Sequence, residues 1–261
     1  MVVADLHAHT TNSDGKLTLS EIPAAARQAG VEVVAVTDHD RLHPELDAPV
    51  TERAGVTVVH GIELRVESPA GRVDLLGYGA RETPALTDRI DHLQRDRVER
   101  GEAMVAKVEA HLGIDLDVTV EPGFGRPDLA RAVAAATEYE VDQVFDDLIH
   151  DGGPCYVARD VPTFEEGHEV LADACALVGL AHPLRYDDPE AALSLTADLD
   201  AVERSYPYEF DPDLAPVETA IEAHDLLATG GSDAHGRRLG RAGLDRREWT
   251  RVRARLPEPD P

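Results

Sequence analysis

Short runs of β-branched and aliphatic residues recur along the chain and stop abruptly at polar ones. Val2-Val3-Ala4 leads into Asp5-Leu6-His7, Val33-Val34-Ala35-Val36 into Thr37-Asp38-His39, and Val56-Thr57-Val58-Val59 into His60-Gly61-Ile62-Glu63. Val73-Asp74-Leu75-Leu76 runs to Gly77-Tyr78. Leu177-Val178-Gly179-Leu180-Ala181 ends at His182-Pro183, Leu199-Asp200-Ala201-Val202 at Glu203, and Leu226-Leu227-Ala228-Thr229 at Gly230-Gly231-Ser232-Asp233. Short apolar runs bounded by Gly, Pro and Asp predict buried strands. Helical patterns lie between them: one capped by Ser20, with Glu21 and Pro23 in its first turn and Gly30 at its end, and one over Thr163 to Ala176. Alternating strand and helix predicts βα units around a parallel sheet.

The middle reads differently. Thr83 to Ala110 predicts a long charged helix with Ile90, Leu93, Val98, Val105 and Val108 on its apolar face. Pro127 to Ala136 and Val141 to His150 predict two more helices. Residues 84–165 are therefore expected to form a helical insertion, with residues 1–83 and 166–261 as the βα domain. The proline-rich tail from Arg251 to Pro261 is expected to fray.

The 261 residues are enough for one α/β barrel, and 43% are hydrophobic. No run approaches the roughly 20 apolar residues that span a bilayer. Met1-Val2-Val3-Ala4-Asp5 carries no basic, cleavable leader, so a cytoplasmic location is expected. Asp and Glu number 51 against 25 Lys and Arg, a net charge of −26, and Lys16 and Lys107 are the only lysines. The acid is spread along the chain and not gathered in a tail, which points to a halophilic adaptation over the alternative of an acidic partner-binding surface: dense carboxylates keep a protein hydrated in a salt-rich cytosol. Such a surface argues against binding duplex nucleic acid. Cys155 and Cys175 make no metal-binding or redox spacing.

The chemistry lies at the strand ends. His7, His9, His39, Glu63, His182, Asp233 and His235 each follow a predicted strand, and in a βα barrel those ends converge on one face. In His7-Ala8-His9 and Asp233-Ala234-His235 the metal-competent side chains are two residues apart, so in extended backbone each pair points to one side. The glycines before Asp233 would let the backbone turn tightly there.

With these motifs in place, the chain resembles the polymerase-and-histidinol-phosphatase (PHP) superfamily, and within it the small stand-alone phosphoesterases with a helical insertion. The resemblance rests on Asp5-Leu6-His7-Ala8-His9-Thr10, Asn12-Ser13-Asp14-Gly15, Val36-Thr37-Asp38-His39-Asp40, Gly61-Ile62-Glu63, Leu75-Leu76-Gly77-Tyr78, Gly125-Arg126-Pro127, Leu180-Ala181-His182-Pro183 and Ser232-Asp233-Ala234-His235. It implies a distorted, TIM-like, seven-stranded βα barrel, with the insertion as a lid. It also implies three divalent metal ions. His7, His9, Glu63 and Asp233 would hold the first. Glu63 would bridge to the second, shared with His182, and Asp14, His39 and His235 would hold the third. Mixed imidazole and carboxylate ligands suit manganese, iron or zinc. Relatives carry a histidine before Leu-Leu-Gly-Tyr where this chain has Asp74. We read Asp74 as a harder ligand that moves the second ion toward manganese or magnesium; the alternative is a supporting residue beside a weak site. Asp128 stands where relatives often continue Gly-Arg-Pro with histidine.

Clustered divalent ions suit phosphoester hydrolysis by a metal-bound water. No Gly-x-Ser-x-Gly elbow is present, so His182 and Asp233 read as ligands and not as parts of a hydrolase triad. The general acid is not named by the sequence; Asp38 and His43 are the candidates. Arg126, Arg159 and Arg185 lie in family-like runs and are expected to bind substrate phosphate, since guanidinium groups match its oxygens bidentately. The expected substrates are small phosphorylated metabolites such as nucleoside 3′,5′-bisphosphates. The alternative is a 5′-3′ exonuclease on short RNA or DNA. Histidinol phosphate fits the insertion less well. A non-catalytic PHP module is the reading from another class, and the filled ligand positions argue against it.

Overall fold

The computed structural model describes residues 1–121 and 123–259. Among the described residues, eight strands form one sheet: β1 (Ala4–Ala8), β2 (Val33–Val36), β3 (Val50–Arg53), β4 (Val56–Ser68), β5 (Gly71–Tyr78), β6 (Leu177–Leu180), β7 (Ala201–Ser205) and β8 (Leu227–Gly230). Seven follow the order β1-β2-β4-β5-β6-β7-β8, and β3 pairs antiparallel on β4. The path curls back on itself. Beyond β8 the chain runs beside β1, where Ala234 bridges Ala8 and His9 N donates to Ala234 O at 3.2 Å. The fold is a distorted βα barrel.

The sheet is mixed, which corrects the expectation of a parallel one. β1, β2 and the first part of β4 pair in parallel, as do β6, β7 and β8. β5 runs antiparallel to both β4 and β6. The cause is local. Only Pro69 and Ala70 separate β4 from β5, and Ser68 Oγ accepts from Ala70 N at 3.1 Å and donates to Gly71 O at 2.7 Å. So short a link leaves no room for a crossover helix, and the strand reverses.

The helices are α1 (Ile22–Ala29), α2 (Pro84–Leu112), α3 (Arg126–Ala136), α4 (Val141–Val144), α5 (Phe164–Ala174), α6 (Pro189–Ser194), α7 (Ala215–His224) and α8 (Arg246–Arg253). A π-helical turn, Phe145–Ile149, continues α4. The α1 cap is Glu21 and not Ser20: the helix starts at Ile22, and the Glu21 carboxylate turns back to accept from Thr18 N at 2.9 Å. Thr163 caps α5, accepting from Glu166 N. The tail is ordered further than expected. Asp245 caps α8 through hydrogen bonds from Arg247 N and Glu248 N, and Trp249, Val252 and Leu256 join the strand core. The last part of the predicted frayed tail, Asp260 and Pro261, lies outside the described residues.

The chain divides into two compact units, one of residues 1–87 and 162–259 and the other of Asp88–Val161. In the first, strand alternation sorts the core. Val33 and Ala35 pack with Leu6, Val59, Leu76 and Tyr78, while Val34 and Val36 pack with Ile22 and Ala26 of α1. In the second, Met104 and Val108 of α2 pack with Leu129, Val133, Val144 and Leu148. Along α2 the buried stripe is Leu86, Leu93, Met104 and Val108, and Ile90, Val98 and Val105 are half-buried. No helix among the described residues is long and apolar enough to cross a membrane.

One buried group makes the barrel acid-sensitive. His60 is 3% exposed, and burial, with His43 beside it, lowers its pKa to about 4 against the pull of Asp38 and Asp47. Its Nε2 accepts from His43 N at 3.1 Å, a bond that protonation would break. In the unfolded chain it titrates near 6.5, so the unfolded state binds the extra proton first. Stability from this group is full above pH 6.5 and is lost as pH falls toward 4, by about 3 kcal/mol in all. Melting curves across that window are expected to show a shallower acid slope for His60→Gln than for the unaltered protein; equal slopes would remove His60 from the account.

Candidate metal centre

Glu63 sits at the middle of the site. It is 1% exposed, inside β4, and its Oε2 lies 3.3 Å from His7 Nε2, 3.3 Å from His9 Nε2 and 2.9 Å from His39 Nδ1. Its Oε1 lies 3.1 Å from His182 Nε2. One carboxylate thus faces four imidazoles, with a different oxygen toward His182 than toward the rest.

Three groups of donor atoms surround it, each with its atoms within 4.8 Å of one another: His7, His9, Glu63 and Asp233; Glu63, Asp74 and His182; and His9, Asp14, His39 and His235. His9 occurs in two of them. A neutral imidazole has one lone-pair nitrogen, so His9 serves one group at a time. Its Nε2 is 3.2 Å from Asp233 Oδ1, whereas its Nδ1 is 3.8 Å from Asp14 Oδ1, which favours the first group. In that group His7, His9 and Glu63 are buried and Asp233 is half-buried; in the other, Asp14 is exposed, and His39 and His235 are half-buried. All nine residues singled out as metal ligands therefore fall into these groups. His7 and Glu63 lie within strands, however, and not just beyond them, because β1 and β4 outlast their aliphatic runs.

The backbone is bent to bring these groups together. His182 and Asp233 have φ of 28° and 47°, in the left-handed region that non-glycine residues avoid. Gly231 is needed for close approach more than for a turn: a Cβ there would lie 2.3 Å from His7 N. The barrel seam could not close on any larger residue. His39 is held beside Glu63 by an extension of the β2/β4 pairing, with Asp40 N donating to Glu63 O at 2.8 Å.

Two positioning residues, Glu203 and Asp5, escaped the sequence reading as such, whereas Asp38 and His43 were named there as candidates for the general acid. Glu203, fully buried at β7, accepts from His7 Nδ1 at 3.1 Å and from His182 N at 2.8 Å, turning His7 Nε2 toward Glu63. The rule that picked out the other strand ends applies to it equally. Asp5 accepts from Ser232 N, Ser232 Oγ and Gly240 N, tying β1 to the chain beyond β8. Asp38 accepts from Thr10 N, Thr10 Oγ1 and Ser13 Oγ at 2.7, 2.7 and 2.6 Å, so both its oxygens organise the loop after β1. His43 is buried, and its Nδ1 accepts from Glu45 N.

Asp74 has a second partner. It lies opposite Arg65 across the β4/β5 pair and accepts from Arg65 Nε at 2.7 Å and Nη2 at 2.6 Å; its Oδ2 is also 3.8 Å from His182 Nε2. Arg185 Nη1 donates to Asp233 Oδ2 at 3.1 Å and to Tyr206 Oη at 2.9 Å, at the edge of the first group. Arg126 and Arg159 lie in the helical unit. There Arg126 pairs with Asp151 at 2.6 Å, and Arg100 and Arg126 each stack over Tyr156. Burial first, then the positive charge of Arg126, lowers the pKa of Arg100, and Arg159 adds to the effect. Arg100 had no motif to mark it.

The electrostatics are those of buried carboxylates set among imidazoles. Burial pushes Glu63 up, but His39, His7 and the bond from His182 hold its carboxyl well below the usual range. Burial pulls His9 down, yet the carboxylates of Asp233 and Glu63 beside it raise it to about 9. For Asp14, His235 and His39 outweigh burial and bring it to about 2. Metal ions fit this donor set. His7 Nε2, both nitrogens of His9, Glu63 Oε2, His182 Nδ1 and Asp233 Oδ1 are buried with no hydrogen-bond partner, although orphaned buried polar atoms are rare.

A barrel with such a histidine–carboxylate centre at its strand ends defines a metal-dependent phosphoesterase. The chain belongs to the PHP domain family, which matches residues 5–172. It is 31% identical to a phosphoribosyl 1,2-cyclic phosphate 1,2-diphosphodiesterase of Eggerthella lenta, over 90% of this chain and 95% of the relative. It is 27% identical to a 3′,5′-nucleoside bisphosphate phosphatase of Chromobacterium violaceum, over 99% of both, and 27% identical to the 5′-3′ exoribonuclease Rnm of Salmonella typhimurium, over 90% and 85%. The fold matches the solved structure of a candidate metal-dependent phosphoesterase from Bifidobacterium adolescentis with a TM-score of 0.77 at 24% identity, covering 98% of this chain and 97% of that one.

Removing Glu203 tests its positioning role. Glu203→Ala leaves the His7 ring free to rotate and is expected to weaken manganese binding about 10- to 100-fold, measured by calorimetric titration. Glu203→Gln, which keeps an acceptor, is expected to recover much of the affinity. Unchanged affinity in the alanine variant would assign Glu203 to folding alone.

Proposed function

We propose that this protein hydrolyses phosphoesters of nucleotide type with three divalent ions, of manganese, iron or zinc. His7, His9, Glu63 and Asp233 hold the first, Glu63, Asp74 and His182 the second, and Asp14, His39 and His235 the third. The observation that carries this reading is the convergence of buried donor atoms that lack hydrogen bonds. When bound, such ions lower the pKa of a water that serves as nucleophile and neutralise phosphate oxygens. The side chains do the rest. Glu203 orients His7, and Arg185, beside Asp233, meets the substrate phosphate at the rim. Within the helical unit, Arg100, Arg126 and Arg159 form a cationic cluster, with Arg126 paired to Asp151, that suits an anionic group.

Arg65 makes the second ion the weakest. Its guanidinium takes up both oxygens of Asp74, so that carboxylate brings less negative charge to its pocket than a free one. Dialysis against a mild chelator is expected to strip one ion per chain before the others. Arg65→Met is expected to retain that ion longer, read by elemental analysis of the dialysed protein. Loss of all ions together in both proteins would refute the ranking.

Phosphate release with added manganese in high salt tests the function itself. His7→Ala is expected to lose at least about 100-fold in rate, more than the loss of a supporting residue costs, while Arg126→Gln is expected to raise KM with a smaller change in kcat. Equal rates for His7→Ala and the unaltered enzyme would overturn the proposal. The 5′-3′ exonuclease reading stays beside the bisphosphatase one because relatives bearing both names match most of the chain.

A further inference from the structure

Aromatic residues make up only 4% of this chain, yet Tyr206, Tyr208 and Phe210 occupy alternate positions in the segment after β7. Tyr206 O–H donates to Asp233 Oδ2 at 2.9 Å, and its ring meets His182 edge-on at 5.5 Å, so the row begins at the metal centre. The Tyr206 and Tyr208 rings are 4.8 Å apart, and those of Tyr208 and Phe210 are 5.4 Å apart. Tyr208 is anchored, its Oη accepting from Leu184 N at 3.3 Å. Phe210 is 57% exposed; apart from Met1 it is the exposed large hydrophobic side chain among the described residues. A cavity of about 420 Å³ lies along the row, and Arg185, Ser232, Asp233 and Arg241 line it too.

This is not how a core treats aromatics. A packing role would bury Phe210, and here the row leads from the half-buried Tyr206 out to solvent. Its spacing suits flat groups laid one after another, and the two arginines at its border suit the anionic links between them. Bases have π-faces that stack on aromatic side chains whatever their sequence.

We propose that Tyr206, Tyr208 and Phe210 form a stacking platform for the bases of a short single-stranded oligonucleotide, whose terminal phosphate sits at the metal centre. The assignment rests on the phosphoesterase reading and narrows it. A mononucleotide reaches only the inner part of the row; a second and third base are needed to use Phe210.

The holoenzyme is compared with its Phe210→Ala and Phe210→Trp variants on a 5′-phosphorylated trinucleotide and on ribose 5-phosphate, which has no base. Phe210 is exposed, so its replacement does not put the fold at stake. The ratio of kcat/KM for trinucleotide over ribose 5-phosphate is expected to fall about tenfold in the alanine variant, the scale of one lost base stack, and to recover in the tryptophan variant. An unchanged ratio would overturn the platform even if phosphate release is brisk. Equilibrium binding of a trinucleotide carrying 2-aminopurine, followed by its fluorescence, decides the same question without turnover. Weaker binding by Phe210→Ala supports the platform even if no phosphoester is hydrolysed, and equal binding by both proteins sinks it.

Discussion

A single buried carboxylate governs this structure. Glu63 is held ionised at the bottom of the barrel mouth, and an uncompensated buried charge costs several kcal/mol. Hydrogen-bond donors and positive charge at contact distance offset that, and Glu63 has four imidazoles around it. The long β4, the tight turn that reverses β5, and the seam that needs Gly231 all bring donors to this point. The supporting carboxylates follow the same logic. Glu203 fixes one imidazole, and Asp5 fixes the loop carrying Asp233.

Much of this was legible in the sequence because strand ends in a βα barrel have a fixed meaning. His39, His182, Asp233 and His235 could be placed by their position after an aliphatic run. The long α2, the helix beginning near Thr163 and the Gly30 cap followed from periodicity and local chemistry. The parts that were not legible depend on pairings between distant segments. Nothing in Val73-Asp74-Leu75 says that β5 runs backwards; that follows from a turn of only two residues, whose brevity is visible but whose consequence for the sheet is not. Arg65 looked like any arginine until register set it opposite Asp74. Tyr206 sits past the end of β7, and its approach to His182 and Asp233 is a fact of barrel closure.

Asp74 shows how one substitution in a family's pattern can be answered elsewhere. A histidine there would be neutral and would need no counter-charge. An aspartate brings a negative charge beside Glu63, and two carboxylates facing one pocket repel. Arg65, on the neighbouring strand and in register, removes that repulsion with two hydrogen bonds. The pair therefore belongs to the stability of β4 and β5 as much as to the metal centre. Its guanidinium stands as a permanent positive charge beside the donor group of Glu63, Asp74 and His182.

The overall charge of −26 raises a question that the local arrangement answers. A phosphate approaching this surface meets repulsion from every side at low salt. At physiological ionic strength the Debye length is about 8 Å, and it shrinks to about 3 Å at 1 M. In a salt-rich solution, then, an incoming anion responds to what lies within a residue or two and not to the sum of the chain. Arg185 is at contact distance from Asp233, and Arg241 lines the same cavity. The acidic surface and the anionic substrate are compatible because screening hides the first from the second, provided the guanidinium groups stand at the rim itself.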